Sequence, residues 1–404
     1  MGTRTNWSGN YAYEAREVVE PATLGELVRA VTAADAAKAL GSRHSFNDIA
    51  DTAGTQVSLA GLIQPPRVGD DTVTVSAAMR YGELGQALTA QGLALHNLAS
   101  LPHISVAGAI STATHGSGLA LGNLSSAVRA LRILRADGEF ADLDPAHPDF
   151  AGAVVGLGAL GLVTEITLAT EPAFDVWQTV FDDLDWATVS QHFDAIMGTA
   201  YSVSLFTDWG ERGVQQVWVK SRAGAVTELF GRRASRVQRH PVGDNPGDFT
   251  TQQLGVPGPW NERLPHFRLE FTPSNGEEIQ SEYLMPLESA PAAIEAVRSV
   301  ADRFRHLLLV SEIRTIAADD LWMSTAYGRD SVAFHFTWLR DQAGVESALP
   351  AIEEALAPFD PRPHWGKVAM MTPRPPRLDD FRSLAERWDP HGRFRNAYLA
   401  RLFG

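Results

Sequence analysis

The chain has no cysteine. Disulfides, thiolate metal sites, iron–sulfur clusters and cysteine nucleophiles are excluded with it. No apolar run reaches the roughly 18 residues of a membrane span, and Met1 to Tyr11 hold no stretch of signal-peptide length. A cytoplasmic protein is therefore the expectation. Positive charge is also scarce: 34 Lys and Arg stand against 48 Asp and Glu, a formal net charge of −14. That balance lacks the basic footprint nucleic acid requires and the attraction to anionic lipid surfaces, so neither nucleic acid nor membrane is expected as a partner. The 12 histidines show no H-E-x-x-H and no clustered ligand spacing, so no metal site is expected. There is no G-x-S-x-G elbow either, which weakens a hydrolase reading. What remains is a globular composition, 45% hydrophobic and 20% charged over 404 residues, long enough for two domains.

Two polar loops stand out. Gly41-Ser42-Arg43-His44-Ser45-Phe46-Asn47-Asp48 follows the mostly apolar run Ala36 to Leu40, and Ser111-Thr112-Ala113-Thr114-His115-Gly116-Ser117-Gly118 follows Val106 to Ile110. Each reads as a loop after a short strand, and loops of this kind offer backbone N–H groups to a diphosphate. Taken alone, His44 reads more readily as a hydrogen-bonded loop histidine than as a catalytic one, and His115 fits a structural role equally well. Around the loops, Arg16 to Glu20 reads as a strand stopped by Pro21. Thr23-Leu24-Gly25-Glu26 has the form of a capping box, and Leu24, Leu27, Val28 and Val31 fall on one helical face. Further strands are expected at Gln56 to Leu59, Thr72 to Ser76, Ala127 to Leu134 and Phe140 to Leu143, the last two around a turn at Ala136-Asp137-Gly138. Gly156-Leu157-Gly158-Ala159-Leu160-Gly161 matches the dinucleotide fingerprint letter for letter. The fingerprint needs a helix opening on its glycines. Here Leu162 to Leu168 follows with the period-two alternation of a strand, so a Rossmann site is rejected.

Beyond Pro172 tryptophan becomes frequent and the loops lengthen. In Val310 to Ile316, period two puts Glu312, Arg314 and Ile316 on one face. In Ala333 to Trp338 it puts His335 and Thr337 opposite Phe334, Phe336 and Trp338. Lys367 follows His364-Trp365-Gly366. Together these residues form either a polar pocket wall, suited to a polyhydroxylated substrate because each buried hydroxyl needs a partner, or an ordinary ion pair on an exposed strand. Pro373-Arg374-Pro375-Pro376 then breaks the chain, before a helix from Asp379 to about Trp388 and a tail through Arg393-Phe394-Arg395-Asn396.

Taken nearly end to end, these segments resemble the flavin-dependent alditol oxidases of the vanillyl-alcohol-oxidase-type superfamily. The likeness runs through Asn6-Trp7-Ser8-Gly9-Asn10, the Gly41–Asp48 loop, Ala99 to Gly108, Thr114 to Gly118, Tyr201 to Trp209, Gly255 to Trp260, Gln280 to Pro286, Glu312 to Thr315, His335 to Trp338 and His364 to Lys367. The resemblance implies an α+β fold. It implies a PCMH-type FAD-binding domain of two α+β subdomains over 1–173, a mixed-sheet substrate or cap domain over 174–375, and a C-terminal segment, 376–404, returning to the first. It implies FAD attached covalently through His44, with Gly41, Ser42, Arg43, Ser45, Ser100, Ser105, Gly108, Thr112, Ala113, Thr114, His115, Leu162 and His364 around the cofactor. Ser100, Glu312, Arg314, Thr337 and Lys367 are implied at the substrate, with Lys367, Arg314, Glu312 and Ser100 catalytic and Ala99 at the path of oxygen. The implied reaction oxidises the C1 alcohol of a polyol such as xylitol or sorbitol with O2 as acceptor, in a monomer. One position departs from the superfamily, which often has glycine where this chain has Arg43. An aldonolactone oxidase or dehydrogenase of the same superfamily shares these loops. A non-catalytic polyol-binding protein, its tryptophans stacking on sugars, is the alternative outside enzymes.

Overall fold

The computed structural model of the chain describes residues 4–243, 245–271 and 277–404. Its first part holds two small sheets. Glu17–Val19, Thr55–Ser58 and Ala37–Leu40 form a parallel three-stranded sheet with Thr55–Ser58 in the middle. Parallel strands need a crossover, and the helix Leu24–Ala33 supplies it, burying Leu27 and Val31. Thr23 accepts from the Glu26 amide at 3.2 Å, while the Glu26 carboxylate reaches back to the Ala22 amide at 2.9 Å. The expected capping box thus closes one residue early. The second sheet is antiparallel, in the order Arg67–Val68, Thr72–Ser76, Leu162–Ala169, Val128–Leu134, Phe140–Leu143. The glycine run 156–161 follows the short helix Phe150–Val154 and precedes the strand Leu162–Ala169, the reverse of a dinucleotide fingerprint. Gly161 has φ +144°, and a Cβ there would lie 2.4 Å from the Leu134 carbonyl oxygen. Close packing of backbone on backbone therefore explains this glycine.

The second part is organised on one eight-stranded sheet. Its order is Pro257–Pro259, Asp175–Leu184, Val214–Ser221, Ser202–Thr207, Leu308–Ile316, Ser331–Leu339, Glu278–Pro286, Arg362–Pro363. Every pairing in it is antiparallel, where a mixed sheet was expected. One face carries an aromatic and aliphatic core under the helices Trp186–Met197, Ala290–Ser299 and Gln342–Leu356. Phe336 and Trp338 stack there with centroids 5.2 Å apart, and Phe304 meets both rings edge-on at 5.8 Å. Each fully buried ring of this kind contributes about 2–3 kcal/mol, so this face anchors the sheet and frees the other for chemistry.

The tail packs back on the first part. Phe381, Leu384 and Trp388 of the helix Leu378–Trp388 join the core around the five-stranded sheet. The Asn396 side-chain amide donates to the carbonyls of Asp48, Ile49 and Asp51 at 2.9–3.1 Å. Among the described residues no helix is long and apolar enough to cross a membrane.

Candidate active site

Between the small sheets and the free face of the large one lies a cavity of about 1820 Å³, its open mouth included. Its lining runs from the two polar loops to the buried charges of the large sheet, so both face one space. One end is a cradle of backbone and small side chains. The first polar loop leaves the strand Ala37–Leu40 as expected. The second leaves the short helix Val106–Ser111, not a strand. The loops are stitched reciprocally: the Ser105 amide donates to Ser42 Oγ at 3.0 Å, and the Ser42 amide to Ser105 Oγ at 3.4 Å. A Cβ on either Gly41 or Gly108 would come within 2.8 Å of that Ser105 hydroxyl. Arg43 has φ +63°, the left-handed region glycine favours, which gives the departure from the superfamily's glycine a physical meaning. Its side chain is exposed, so the burden it carries is conformational.

His44 faces this cradle, and both of its ring nitrogens are buried without a hydrogen-bond partner. Burial pushes the imidazole down to about 4; His103, Arg80 and Arg43 add to that, the Ser42 backbone opposes it, and the ring is neutral at pH 7. A buried, neutral, unpartnered imidazole is costly unless something completes it. An isoalloxazine seated against the two loops fits that vacant valence, and the glycine and serine surface around it fits close approach of a large planar group. The loop is also tied to the opposite wall. The Phe46 amide donates to the Gly366 carbonyl at 2.7 Å, and Asn47 Nδ2 donates to the carbonyls of Trp365 and Lys367 at 2.9 and 2.8 Å.

The other end is a wall of buried charge on neighbouring strands. Register brings Phe206, Glu312, His335 and Glu282 into one row across four strands. Glu282 is the hub. It accepts from Arg314 Nη2 at 2.7 Å and from Lys367 Nζ at 2.7 Å, with His115 Nε2 at 3.5 Å. Burial alone would raise its carboxyl, but Lys367, His115 and Arg314 outweigh that and hold it well below the usual carboxylate range. Arg314 Nε lies 3.6 Å from Glu312, whose other oxygen accepts from His266 Nε2 at 2.8 Å. Lys220 Nζ sits 2.9 Å from His266 Nδ1 and also donates to the Leu264 carbonyl. Burial alone would raise the Glu312 carboxyl, but Arg314 and His266 outweigh that and hold it well below the usual carboxylate range. Burial followed by Lys220 pushes His266 down to about 4, and burial brings Lys220 down to about 7. Burial, then Lys367, pushes His335 and His364 well below the ordinary histidine value. Lys367 is itself lowered, by burial first and with Arg314 adding, against Glu282.

Of the residues expected at the site, Ser100, Glu312, Arg314, Thr337, His364 and Lys367 all line the cavity, as do Ala99, His115 and the Gly41–Ser45 loop. So do Ser105, Gly108, Thr112 and Thr114. Ala113 and Leu162 do not line it: Ala113 is wholly buried at φ +54°, and Leu162 points into the core around the parallel sheet. Glu312 and Arg314 are 4% and 5% exposed, which removes the exposed-strand alternative. No tryptophan lines the cavity among the described residues, and Trp218, Trp260 and Trp338 are core. Glu282, His266, Lys220 and Asn47 were not expected as site residues. Period two on the strand Glu278–Pro286 puts Gln280 and Glu282 on one face, but which face turns inward is set by pairing with Ser331–Leu339. Among the described residues no group of three or more His, Asp and Glu is placed to hold a metal.

Residues 15–144 match the family described as FAD binding domain, and residues 273–402 the family described as D-arabinono-1,4-lactone oxidase. Among solved structures, cholesterol oxidase from B. sterolicum superposes with a TM-score of 0.78 at 14% identity, covering 100% of this chain and 96% of its own. The fold and the cradle are those of a two-domain, vanillyl-alcohol-oxidase-type FAD protein. Among curated relatives, an alditol oxidase from a Streptomyces species is 47% identical, covering 98% of each chain. An L-gulono-1,4-lactone dehydrogenase from Mycobacterium tuberculosis is 29% identical over 99% of each. This chain belongs to the alditol oxidase family, a group of FAD-dependent oxidoreductases.

Proposed function

We propose that the protein oxidises the C1 primary alcohol of alditols such as xylitol and sorbitol to the aldose, with dioxygen reduced to hydrogen peroxide. The observation that carries this is the buried wall Lys367–Glu282–Arg314–Glu312 facing the His44 cradle across one cavity. FAD, when bound, supplies the hydride acceptor and hands both electrons to oxygen. The chain's own groups do the rest. Lys367 and Arg314, held by Glu282, present N–H donors to the reacting hydroxyl oxygen and stabilise negative charge as its proton leaves. Glu312, fixed through His266 and Arg314, accepts from the neighbouring hydroxyl and sets which carbon faces the cradle. Thr337, Gln280 and the neutral His335 line the same face and give further hydroxyls partners.

Covalent attachment of FAD through His44 is part of this proposal, supported by the two unpartnered ring nitrogens. Acid precipitation tests it: yellow chromophore should stay in the pellet, and should move to the supernatant in His44→Ala. The division into 1–173, 174–375 and 376–404, a monomeric state and a cytoplasmic location complete the proposal. The match of residues 273–402 to a lactone oxidase family supports a second reading, oxidation of an aldonolactone. Peroxide release with xylitol and with gulonolactone separates the two. Peroxide from the lactone alone would overturn the alditol assignment.

A further inference from the structure

Neither His44 ring nitrogen has a well-formed hydrogen bond, so packing contacts help set its direction. The segment Asn6–Asn10 is the neighbour that does so. The Trp7 indole stacks on the His44 imidazole, centroids 5.2 Å apart and planes 20° from parallel. The same segment captures three carbonyls of the loop. The Trp7 amide donates to Arg43 at 2.8 Å, Asn6 Nδ2 to Ser45 at 2.9 Å, and Asn10 Nδ2 to Phe46 at 3.1 Å. His44 is thus bracketed on both sides by tethered backbone, and the left-handed Arg43 is held at its carbonyl. The tether is itself rigid. Asn6 Nδ2 and Ser8 Oγ both donate to Asn10 Oδ1, at 2.6 and 2.7 Å, and Asn6 Oδ1 accepts from the Tyr11 amide at 3.1 Å. Asn10 Nδ2 also donates to Gln342 Oε1 at 3.0 Å, and Arg340 Nη1 to the Ser8 carbonyl at 3.3 Å, so the segment is anchored on the large-sheet domain.

We propose that Trp7, carried by this N-terminal clasp, is the positioning residue that aims the His44 imidazole for bond formation with the flavin. The inference rests on the attachment through His44 proposed above. In that step a C–N bond forms at the flavin 8α carbon, and the imidazole N–H and one 8α C–H are given up. The two protons and two electrons remain on the flavin, which dioxygen reoxidises with release of hydrogen peroxide. An aromatic face restricts the imidazole to one plane without occupying either nitrogen, whereas a hydrogen bond would occupy one of them. The Ser42–Ser105 hydrogen bonds that stitch the two cradle loops do not involve Trp7, so loss of the indole should separate binding from bonding.

The test is the fraction of flavin that stays with acid-precipitated protein, measured beside total flavin in the native holoprotein, for wild type, Trp7→Leu and Trp7→Phe. Trp7→Leu should keep most of its flavin but form the bond up to roughly 10²-fold more slowly, the scale of a misplaced reacting group. It should therefore release flavin into acid, and Trp7→Phe should restore much of the acid-stable fraction. Thermal melting of each variant keeps a folding defect apart from a bonding defect, and a variant that melts early is compared at the lower temperature where it is folded. Equal acid-stable flavin in wild type and Trp7→Leu overturns the proposal. So does parallel loss of total and acid-stable flavin, or a Trp7→Phe no better than Trp7→Leu. Complete release of flavin from wild type overturns the attachment itself, and the proposal with it.

Discussion

The two ends of the cavity are built on opposite principles. At the substrate wall every buried charge already has a partner: Lys367 and Arg314 share Glu282, and Glu312 lies between Arg314 and His266. At the cradle the chain leaves valences open. His44 has two unpartnered nitrogens, and Arg43 sits in the left-handed region. The wall is preorganised and the cradle is incomplete by itself. Under the function proposed above, a wall that binds and releases substrate at each turnover keeps its geometry when empty, whereas a cradle bonded to its cofactor need not.

The largest test of this contrast is to break the wall at its hub. Glu282→Ala leaves Lys367 and Arg314 buried without their shared carboxylate, and should cost about 3–5 kcal/mol of stability. Denaturant unfolding measures this, and a loss below about 1 kcal/mol would show that the wall is not preorganised. Next, Lys367→Met should lower turnover of xylitol by roughly 10²–10³, the range for losing one donor to developing charge, while flavin content stays near wild type. Equal loss of flavin and activity would place Lys367 in the cradle instead.

A smaller effect lies in pH. Folded His266 and His240 titrate near 4, against 6.5 for an ordinary histidine. Between those values the unfolded chain binds more protons, so stability should fall as pH drops from about 6.5 to about 4. Lys38 and Lys220, brought to about 7 from 10.5, act over another window: above pH 7 the unfolded chain again binds more protons, and their contribution rises with pH. His266→Gln should flatten the acid-side slope in melts taken across that range, and an unchanged slope would remove His266 from the account. The smallest effect belongs to the cradle. Arg43→Gly relieves a left-handed residue at roughly 1–2 kcal/mol and gives back about 0.5–1 kcal/mol of chain entropy. A net stabilisation of between about 0 and 1.5 kcal/mol should appear in the unfolding midpoint.

Much of the cradle was legible in the sequence because its chemistry is contiguous. A loop of small polar residues around one histidine carries its meaning in eight consecutive positions. The rejection of the glycine run also held, since the alternation after Gly161 is a local signal and the strand Leu162–Ala169 follows it. The wall was half legible. Glu312 and Arg314 share a strand face by period two alone, and Lys367 follows a recognisable segment. Glu282 joins them only through the register Glu282↔His335↔Glu312, which no single strand encodes. His266 and Lys220 arrive from a loop and from a strand on the far side of Ser202–Thr207, so nothing local marks them. The helix Val106–Ser111 was misjudged as a strand because six small and β-branched residues carry either period.

The three hydrogen bonds by which Phe46 and Asn47 hold the backbone at Trp365, Gly366 and Lys367 have a geometric consequence. They give the cofactor loop and the principal cation a common ruler, located at the Arg362–Pro363 edge of the large sheet. The opposite edge, Pro257–Pro259, lies seven strands away. The strands between the two edges carry Phe206, Glu312, His335 and Glu282 of the cavity lining, while the spacing between Lys367 and the loop is set by these three bonds at one edge.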